Sequence, residues 1–296
     1  MPAVSFISVC KGRLHHLKQV LPLWMEQQPT EIVVVDYACP QGTADWVAAN
    51  HPSVRVVRVD DDPGFCLARA RNIGVRASSS DWLVLIDADI RTNPGWMGWM
   101  NASLRPGYFY TCEAQIGPDA WEAAGTVICR REAFDRVGGY DEAFRLWGIE
   151  DTDYYHRLVL KWEVQDRYPQ RFVSPISHGN DERVTSYDIK DFWRHCLINS
   201  VYSQFKKQLM ALSEKGAEIP LDKRQMLMND IRQRIERWQP DDGPLDLSVG
   251  RSVTLPIVRG FSARQSFSLK YRLSKSDLVE RGVLAASLST RSAQDP

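Results

Sequence analysis

The chain has 296 residues, 44% of them hydrophobic, enough to bury a sizeable core as one large domain or as one domain with an appendage. Its 37 basic and 37 acidic side chains cancel, so no global field points to nucleic acid or to an acidic membrane surface. The six cysteines (10, 39, 66, 112, 129 and 196) form no C-x-x-C pair, and neither a signal peptide nor an apolar run near 18 residues is present. That argues against a disulfide framework, a zinc site and a membrane span, and predicts a cytoplasmic protein.

The first 90 residues alternate strand and helix. Ala3–Cys10 is a β-rich run, and Leu14–Gln27 reads as a helix ending before Pro29. Val33-Val34-Val35 marks a buried strand over Glu31–Asp36. Helical Gly42–Asn50, an alternating strand over Val54–Val59 and a helix over Phe65–Ala77 follow. The apolar run Trp82-Leu83-Val84-Leu85-Ile86 then reads as a buried central strand, bounded by Ser78-Ser79-Ser80-Asp81 and Asn93-Pro94-Gly95. Strands spaced by helices predict a right-handed, parallel, doubly wound sheet. Beyond residue 105 the expectation is shorter strands near Tyr108–Gln115 and Gly125–Cys129, helices over Arg131–Val137 and Glu150–Lys161, and a strand at Glu163–Arg167. Residues 187–214 look like a long amphipathic helix, Leu221–Trp238 like a charged one, and Pro240–Pro244 like a linker. Short β-like pieces at Ser252–Val258 and Ser266–Tyr271 precede a polar tail expected to be disordered. This divides the chain into a catalytic domain (1–185), a helical extension (186–240) and a C-terminal segment (241–296).

Asp87-Ala88-Asp89 stands at the carboxyl end of the central strand, where open α/β sheets place their ligand crevice. Side chains one residue apart diverge on a regular strand, so the pair converges only where the chain turns. Mg²⁺ or Mn²⁺ holding a diphosphate takes one or two carboxylates plus substrate oxygens; the plain alternative is that both aspartates end the strand. Asp36 ends the second strand on the same rim, where a carboxylate either receives a base or ribose or caps the 41–50 helix. Lys11 and Arg13 follow the first strand, and Phe65, Arg69 and Arg71 lie on the helix before the central strand. These are candidates for a nucleotide and its phosphates, against a solvated turn and an exposed helix face.

A second cluster runs Gly139-Tyr140-Asp141-Glu142-x-Phe144-x-x-Trp147-Gly148-Ile149-Glu150-Asp151-Thr152-Asp153. Three carboxylates in four positions are costly together unless they face a cation, a sugar or a hydroxyl to deprotonate; they also suit a helix N-terminus. His178, in a loop after β-like Arg171–Val173, is a candidate metal ligand. His15 and His16 look like helix surface, and His195 lies inside an amphipathic helix. Neither G-x-G-x-x-G nor a Walker loop is present, so a bound nucleotide needs another device for its phosphates.

Phe6-Ile7-Ser8-Val9-Cys10-Lys11-Gly12-Arg13, Val33-Val34-Val35-Asp36, Ala70-Arg71-Asn72-Ile73-Gly74 and Leu85-Ile86-Asp87-Ala88-Asp89 resemble, in order, the nucleotide-sugar half of family 2 glycosyltransferases. Gly138-Gly139-Tyr140-Asp141-Glu142 with Trp147-Gly148-Ile149-Glu150-Asp151 resembles the acceptor-side motif of β-1,4-galactosyltransferases and chondroitin-polymerase-like enzymes. The resemblance covers roughly residues 3–180 and implies the GT-A fold, a Rossmann-like, mostly parallel sheet flanked by helices. It implies that Asp36 binds uracil, Arg71 lies along the nucleotide, and Asp89 and His178 ligate Mn²⁺ or Mg²⁺, with Asp87 helping through ribose or water. It further implies that Trp147 is a sugar platform, Glu150 orients the acceptor and Asp151 is the general base. The chain departs from the family at Tyr37-Ala38-Cys39, where Asp-Gly-Ser is usual, which leaves base recognition open.

The function so implied is metal-dependent, inverting transfer from a nucleotide-sugar, with UDP expected, to a hydroxyl of a glycan, a lipid-linked carrier or a protein. Retaining relatives tend to carry Glu-Asn where this chain has Glu150-Asp151. The competing readings are a nucleotidyltransferase, for which Cys10-Lys11-Gly12-Arg13 is too poor in glycine, and a nucleotide-sugar-binding protein without transfer activity. The C-terminal region could mediate a homodimer.

Overall fold

In the computed structural model the described residues are 2–62, 64–113, 123–212, 219–258 and 261–274. A seven-stranded sheet organises the first of two units, Met1–Asn199. Its strands are β1 (Val4–Cys10), β2 (Glu31–Asp36), β3 (Arg55–Arg58), β4 (Trp82–Leu85), β6 (Tyr108–Cys112), β7 (Val127–Arg130) and β8 (Val164–Tyr168), in the order β3-β2-β1-β4-β7-β6-β8. The first four run parallel, β7 is antiparallel to both β4 and β6, and β6 pairs parallel with β8. Two further short strands, β5 (Ile90–Thr92) and β9 (Val173–Pro175), form a separate antiparallel pair.

The continuous apolar runs fill the middle of this sheet because a doubly covered strand must be apolar on both sides. The two-residue period then sorts them. Phe6, Val34, Val84 and Ile128 pack on one face, with Trp24 of α1 (Leu14–Glu26) and with Trp96 and Met100 of α4 (Trp96–Ser103). Ile7, Val33, Val35, Leu83, Leu85 and Val127 pack on the other, against α3 (Leu67–Ala77), α5 (Arg131–Arg136) and α6 (Glu150–Leu160). Helix α3 lies so close that a Cβ on Gly74 would come within 2.5 Å of the Ile7 side chain. Helix α2 (Thr43–Asn50) joins β2 to β3.

The tryptophans mostly serve this packing rather than stacking on a ligand: Trp24 and Trp96 are fully buried, and Trp24 Nε1–H donates to the Ile90 carbonyl at 2.8 Å. Trp147 and Trp193 are the tryptophans among the described residues that face the main cavity. All six cysteines are free thiols. No helix among the described residues is long and apolar enough to cross a membrane.

Helix α4, the β5–β9 pair and the short helix α7 (Asn180–Val184) are not anticipated by the sequence periodicity. The amphipathic helix expected over 187–214 begins only at Phe192, as α8 (Phe192–Ala211). In the second unit, Ser200–Pro296, α9 (Leu221–Arg237) buries Met228, Ile231 and Ile235 and exposes its charges. The expected short β pieces are instead one long antiparallel hairpin, β10 (Leu245–Val258) with β11 (Phe261–Leu273). Pro256 and the Asp, Ser and Gly of residues 246–250 are poor strand formers and hid its length. Arg272 and Asp246 form a two-point ion pair across it (2.7 and 2.8 Å). The expected polar tail, residues 275–296, lies outside the described residues.

Candidate active site

The chain leaves the ladder after Leu85, so the Asp87 and Asp89 side chains are freed from strand alternation. They open onto a cavity of about 560 Å³ at the carboxyl ends of β1 and β4. Lys11, Arg13, Phe65, Arg71, Asp87, Ala88 and Asp89 line it, together with Trp147, Glu150, Asp151 and His178. Asp36 and Arg69 do not. Asp36 is 5% exposed, and its two carboxylate oxygens accept from the Cys39 and Ala44 amides (2.7 and 2.8 Å), fixing the turn into α2. Arg69 pairs with Asp61 (2.7 Å) and donates to the Tyr37 hydroxyl (3.2 Å) in a network beside the cavity.

Arg71 ties the two sequence clusters together. It is 3% exposed, and its Nη2 donates to Asp87 at 2.8 Å while Nη1 donates to Glu150 at 3.2 Å and to Asp151 at 2.5 Å. Its guanidinium also lies 4.9 Å from the centre of the Tyr140 ring. One planar fork thus offsets three carboxylates drawn from a strand end and a helix start. Burial pushes the Glu150 and Asp151 carboxyls up from their ordinary values, and Arg71 opposes that rise. The next residue, Asn72, accepts from the Tyr140 amide (2.8 Å) and donates to the Tyr140 carbonyl and Glu142 (both 2.9 Å), so the Arg-Asn pair of α3 receives the whole Gly-Gly-Tyr-Asp-Glu turn. Gly139 sits at φ +71, and a Cβ there would meet Asn72 Oδ1 at 2.5 Å. Arg157 of α6 donates to the Val137 and Gly139 carbonyls (both 2.6 Å) and anchors the helix to the same turn.

The opposite wall is built on Asp89. Its Oδ2 lies 2.7 Å from His178 Nε2 and 3.2 Å from Arg13 Nη1. Burial would raise this carboxyl, but the His178 hydrogen bond and the Arg13 charge hold it below the usual carboxylate range. His16, expected on a helix surface, is instead 5% exposed and stacked on the His178 ring at 5.6 Å. Burial first, then the neighbouring cations, lowers its pKa to about 4. Glu182, which no pattern in the sequence marks out, reaches Arg13 at 3.2 Å. Among the described residues His15, His16 and Glu182 bring ligand atoms within 4.8 Å of one another, but the Arg13 guanidinium already supplies the positive charge there.

The donor set suits a hard divalent cation. His178 Nδ1 lies 3.3 Å from the Gly179 carbonyl. Nε2 is the nitrogen that meets Asp89, and a cation held by both would replace the proton shared between them. One carboxylate and one imidazole leave the remaining positions for substrate oxygens and water, as Mn²⁺ or Mg²⁺ requires. Asp87 stands apart from this pair, since its Oδ1 is held by Arg71.

Gly125 closes the floor. A Cβ on it would lie 2.6 Å from Asp87 Oδ2, 3.2 Å from Asp151 Oδ2 and 3.4 Å from Arg71 Nη2. Gly125→Ala is therefore expected to keep the fold and cut turnover about 10-fold or more by spreading the three groups, since misplacements near 1 Å cost about 10²-fold. Steady-state kinetics beside a thermal melt would check this.

The family model "Glycosyl transferase family 2" matches residues 5–105, and "N-terminal domain of galactosyltransferase" matches residues 117–178. The pre-mycofactocin glycosyltransferase of Mycobacterium tuberculosis is 24% identical over 183 residues, a match covering 50% of this chain and 37% of the relative. The chain thus spans little more than a third of the length of the curated relatives it matches. Among solved structures, the Pyrobaculum calidifontis mannosyltransferase PcManGT in complex with GDP-Man and Mn²⁺ aligns at TM-score 0.51 and 18% identity, covering 79% of this chain and 74% of that one. S. aureus TarS in complex with UDP-GlcNAc aligns at 0.52 and 12%, covering 79% and 72%. GalNAc-T7 with UDP, GalNAc and Mn²⁺ aligns at 0.51 and 13%, covering 78% and 54%. At these identities the structural likeness concerns the fold. The two family matches follow one another along a sheet of this topology, and together they support a family 2 glycosyltransferase with the GT-A fold.

Proposed function

We propose that this domain is a metal-dependent, inverting glycosyltransferase that moves a sugar from a nucleotide-sugar, with UDP the expected nucleotide, to an acceptor hydroxyl. The observation that carries this reading is Arg71, whose ion pairs join Asp87 on the donor side to Glu150 and Asp151 on the acceptor side. In this reading Lys11 and Arg13 face the diphosphate, and Asp89 with His178 would hold Mn²⁺ or Mg²⁺, which when bound offsets charge on the departing nucleoside diphosphate. Glu150 accepts a hydrogen bond from the acceptor. Asp151 takes the proton of the attacking hydroxyl while the acceptor oxygen bonds the anomeric carbon from the side opposite the nucleoside diphosphate, whose bond to that carbon breaks and whose oxygen keeps the electron pair. The bound metals and nucleotide-sugars of the structural neighbours support the donor class and a divalent ion.

UDP with Mn²⁺ is expected to raise the melting temperature, because a ligand at about 100 Kd adds about 2.7 kcal/mol to the folded state. Asp89→Ala should abolish that shift, since even the outer partners of a metal ligand are worth about 10–100-fold in affinity. The reading fails if neither UDP nor GDP stabilises the wild type with Mn²⁺ or Mg²⁺. Hydrolysis of a nucleotide-sugar without acceptor then separates a transferase from a binding protein.

A further inference from the structure

Helix α8 holds the acceptor-side loop by two buried side chains that lie beyond both family matches. His195 and Asn199 are both 0% exposed. Asn199 Nδ2 points at three consecutive carbonyls, those of Leu146 (3.2 Å), Trp147 (3.1 Å) and Gly148 (2.7 Å). The amide is oriented by this set, because a flipped side chain would set its own oxygen against all three. His195 Nδ1 accepts from the Trp147 amide at 2.9 Å, and His195 Nε2 lies 2.9 Å from the Ile189 carbonyl. A backbone amide only donates and a carbonyl only accepts, so the ring is the neutral Nε2–H tautomer.

What these groups hold is a backbone that does not hold itself. Gly148 lies at φ +88, and the next residue, β-branched Ile149, lies at φ +73, a region such side chains rarely enter. Such a conformation persists only where the surroundings over-determine it. Ile149 is also the residue from which α6 starts, and no side chain caps that end. The aim of Glu150 and Asp151 into the cavity is therefore set by how residues 146–149 are pinned.

We infer that His195 and Asn199 are positioning residues: by fixing the 146–149 backbone from α8, they place Glu150 and Asp151 for the chemical step without touching donor or acceptor. This rests on the reading of those two acids as the acceptor-side groups. Binding of the nucleotide draws on the other wall, Lys11, Arg13, Asp89 and His178, and so should be insulated from the clamp.

The test uses the full chain and acceptor-free hydrolysis of whichever of UDP-GlcNAc, UDP-GalNAc, UDP-galactose and GDP-mannose the wild type turns over fastest. UDP with Mn²⁺ serves as the binding probe. In Asn199→Ala and His195→Ala, kcat is expected to fall about 10–100-fold while donor KM and UDP affinity stay within about 2-fold. His195→Gln, which can accept from the Trp147 amide and donate to the Ile189 carbonyl, should recover most of the loss. An unchanged kcat in both alanine variants overturns the proposal. So does a parallel loss of UDP affinity and kcat, which would make the clamp a folding element. A wild type that neither binds UDP nor hydrolyses any of the four donors removes the underlying reading as well, a result visible before any variant is made.

Discussion

Asp151→Asn is expected to reduce turnover by about 10²–10⁴-fold, the usual contribution of a positioned base, while leaving UDP–Mn²⁺ affinity within a few-fold of wild type. The substitution keeps the side chain's length and one oxygen able to accept from Arg71 Nη1, which lies 2.5 Å from Asp151 Oδ1. It removes only the capacity to take a proton. Burial raises the Asp151 carboxyl above its ordinary range, and the charges of Glu150 and Asp87 push the same way, against Arg71. A raised pKa makes the carboxylate a stronger base, and it also sets the sign of the pH response: turnover should climb as pH rises through that pKa and the carboxyl loses its proton. In Asp151→Asn this limb of the profile should vanish. Steady-state kinetics across pH, with calorimetric titration of UDP, separates the two effects, and near wild-type turnover would remove the assignment. NMR of the first-formed product should show inversion at the anomeric carbon; retention would require a nucleophile on the face where this reading puts a base.

The sequence displayed the frame of the molecule well because the frame rests on short-range rules. Val33-Val34-Val35 and Trp82–Ile86 are apolar without alternation, as strands covered on both faces must be, and they are the centre of the parallel sheet. The acids were legible for a similar reason, since Asp87, Asp89, Glu150 and Asp151 stand where a strand ends and a helix begins. Pairings across long separations were not legible. Nothing in the spacing says that Arg71 faces carboxylates rather than a phosphate, because the two chemistries ask the same of a guanidinium. His16 reads as surface by its neighbours, yet it is buried by a short helix 164 or more residues later that brings in Glu182, itself a featureless acid in a charged stretch. The clamp is hidden more deeply still: His195 and Asn199 lie one turn apart on α8, and nothing in an amphipathic pattern marks either as the hold on a loop about fifty residues earlier. The expected base contact at Asp36 shows the converse, since a carboxylate at a strand end suits a ligand and a helix start equally, and here it grips two backbone amides.

Arg71→Leu should strongly destabilise the first unit. The side chain is fully surrounded, and its removal leaves Asp87, Glu150 and Asp151 facing one another with no counter-charge. Stranding one side of a buried ion pair costs about 3–5 kcal/mol, and three acids share this one cation. For a unit of roughly 200 residues that is a fall in melting temperature on the order of 10 °C. The pH dependence follows from the direction in which the lost cation acted. Arg71 opposes the rise that burial gives the Glu150 and Asp151 carboxyls, so without it these two titrate further still above their unfolded values. The variant is then least penalised at low pH, where they are protonated in both states, and loses stability as pH rises through the folded pKa values. Melts at pH 5 and pH 8 should therefore show the gap from wild type widening with pH. Arg71→Lys should recover only part of the loss, because an ammonium is a single point charge where the guanidinium uses two nitrogens on three acids. If instead Arg71→Leu melts like wild type and loses UDP affinity, the guanidinium serves the nucleotide, and the carboxylates must be neutralised by protons or by the bound cation.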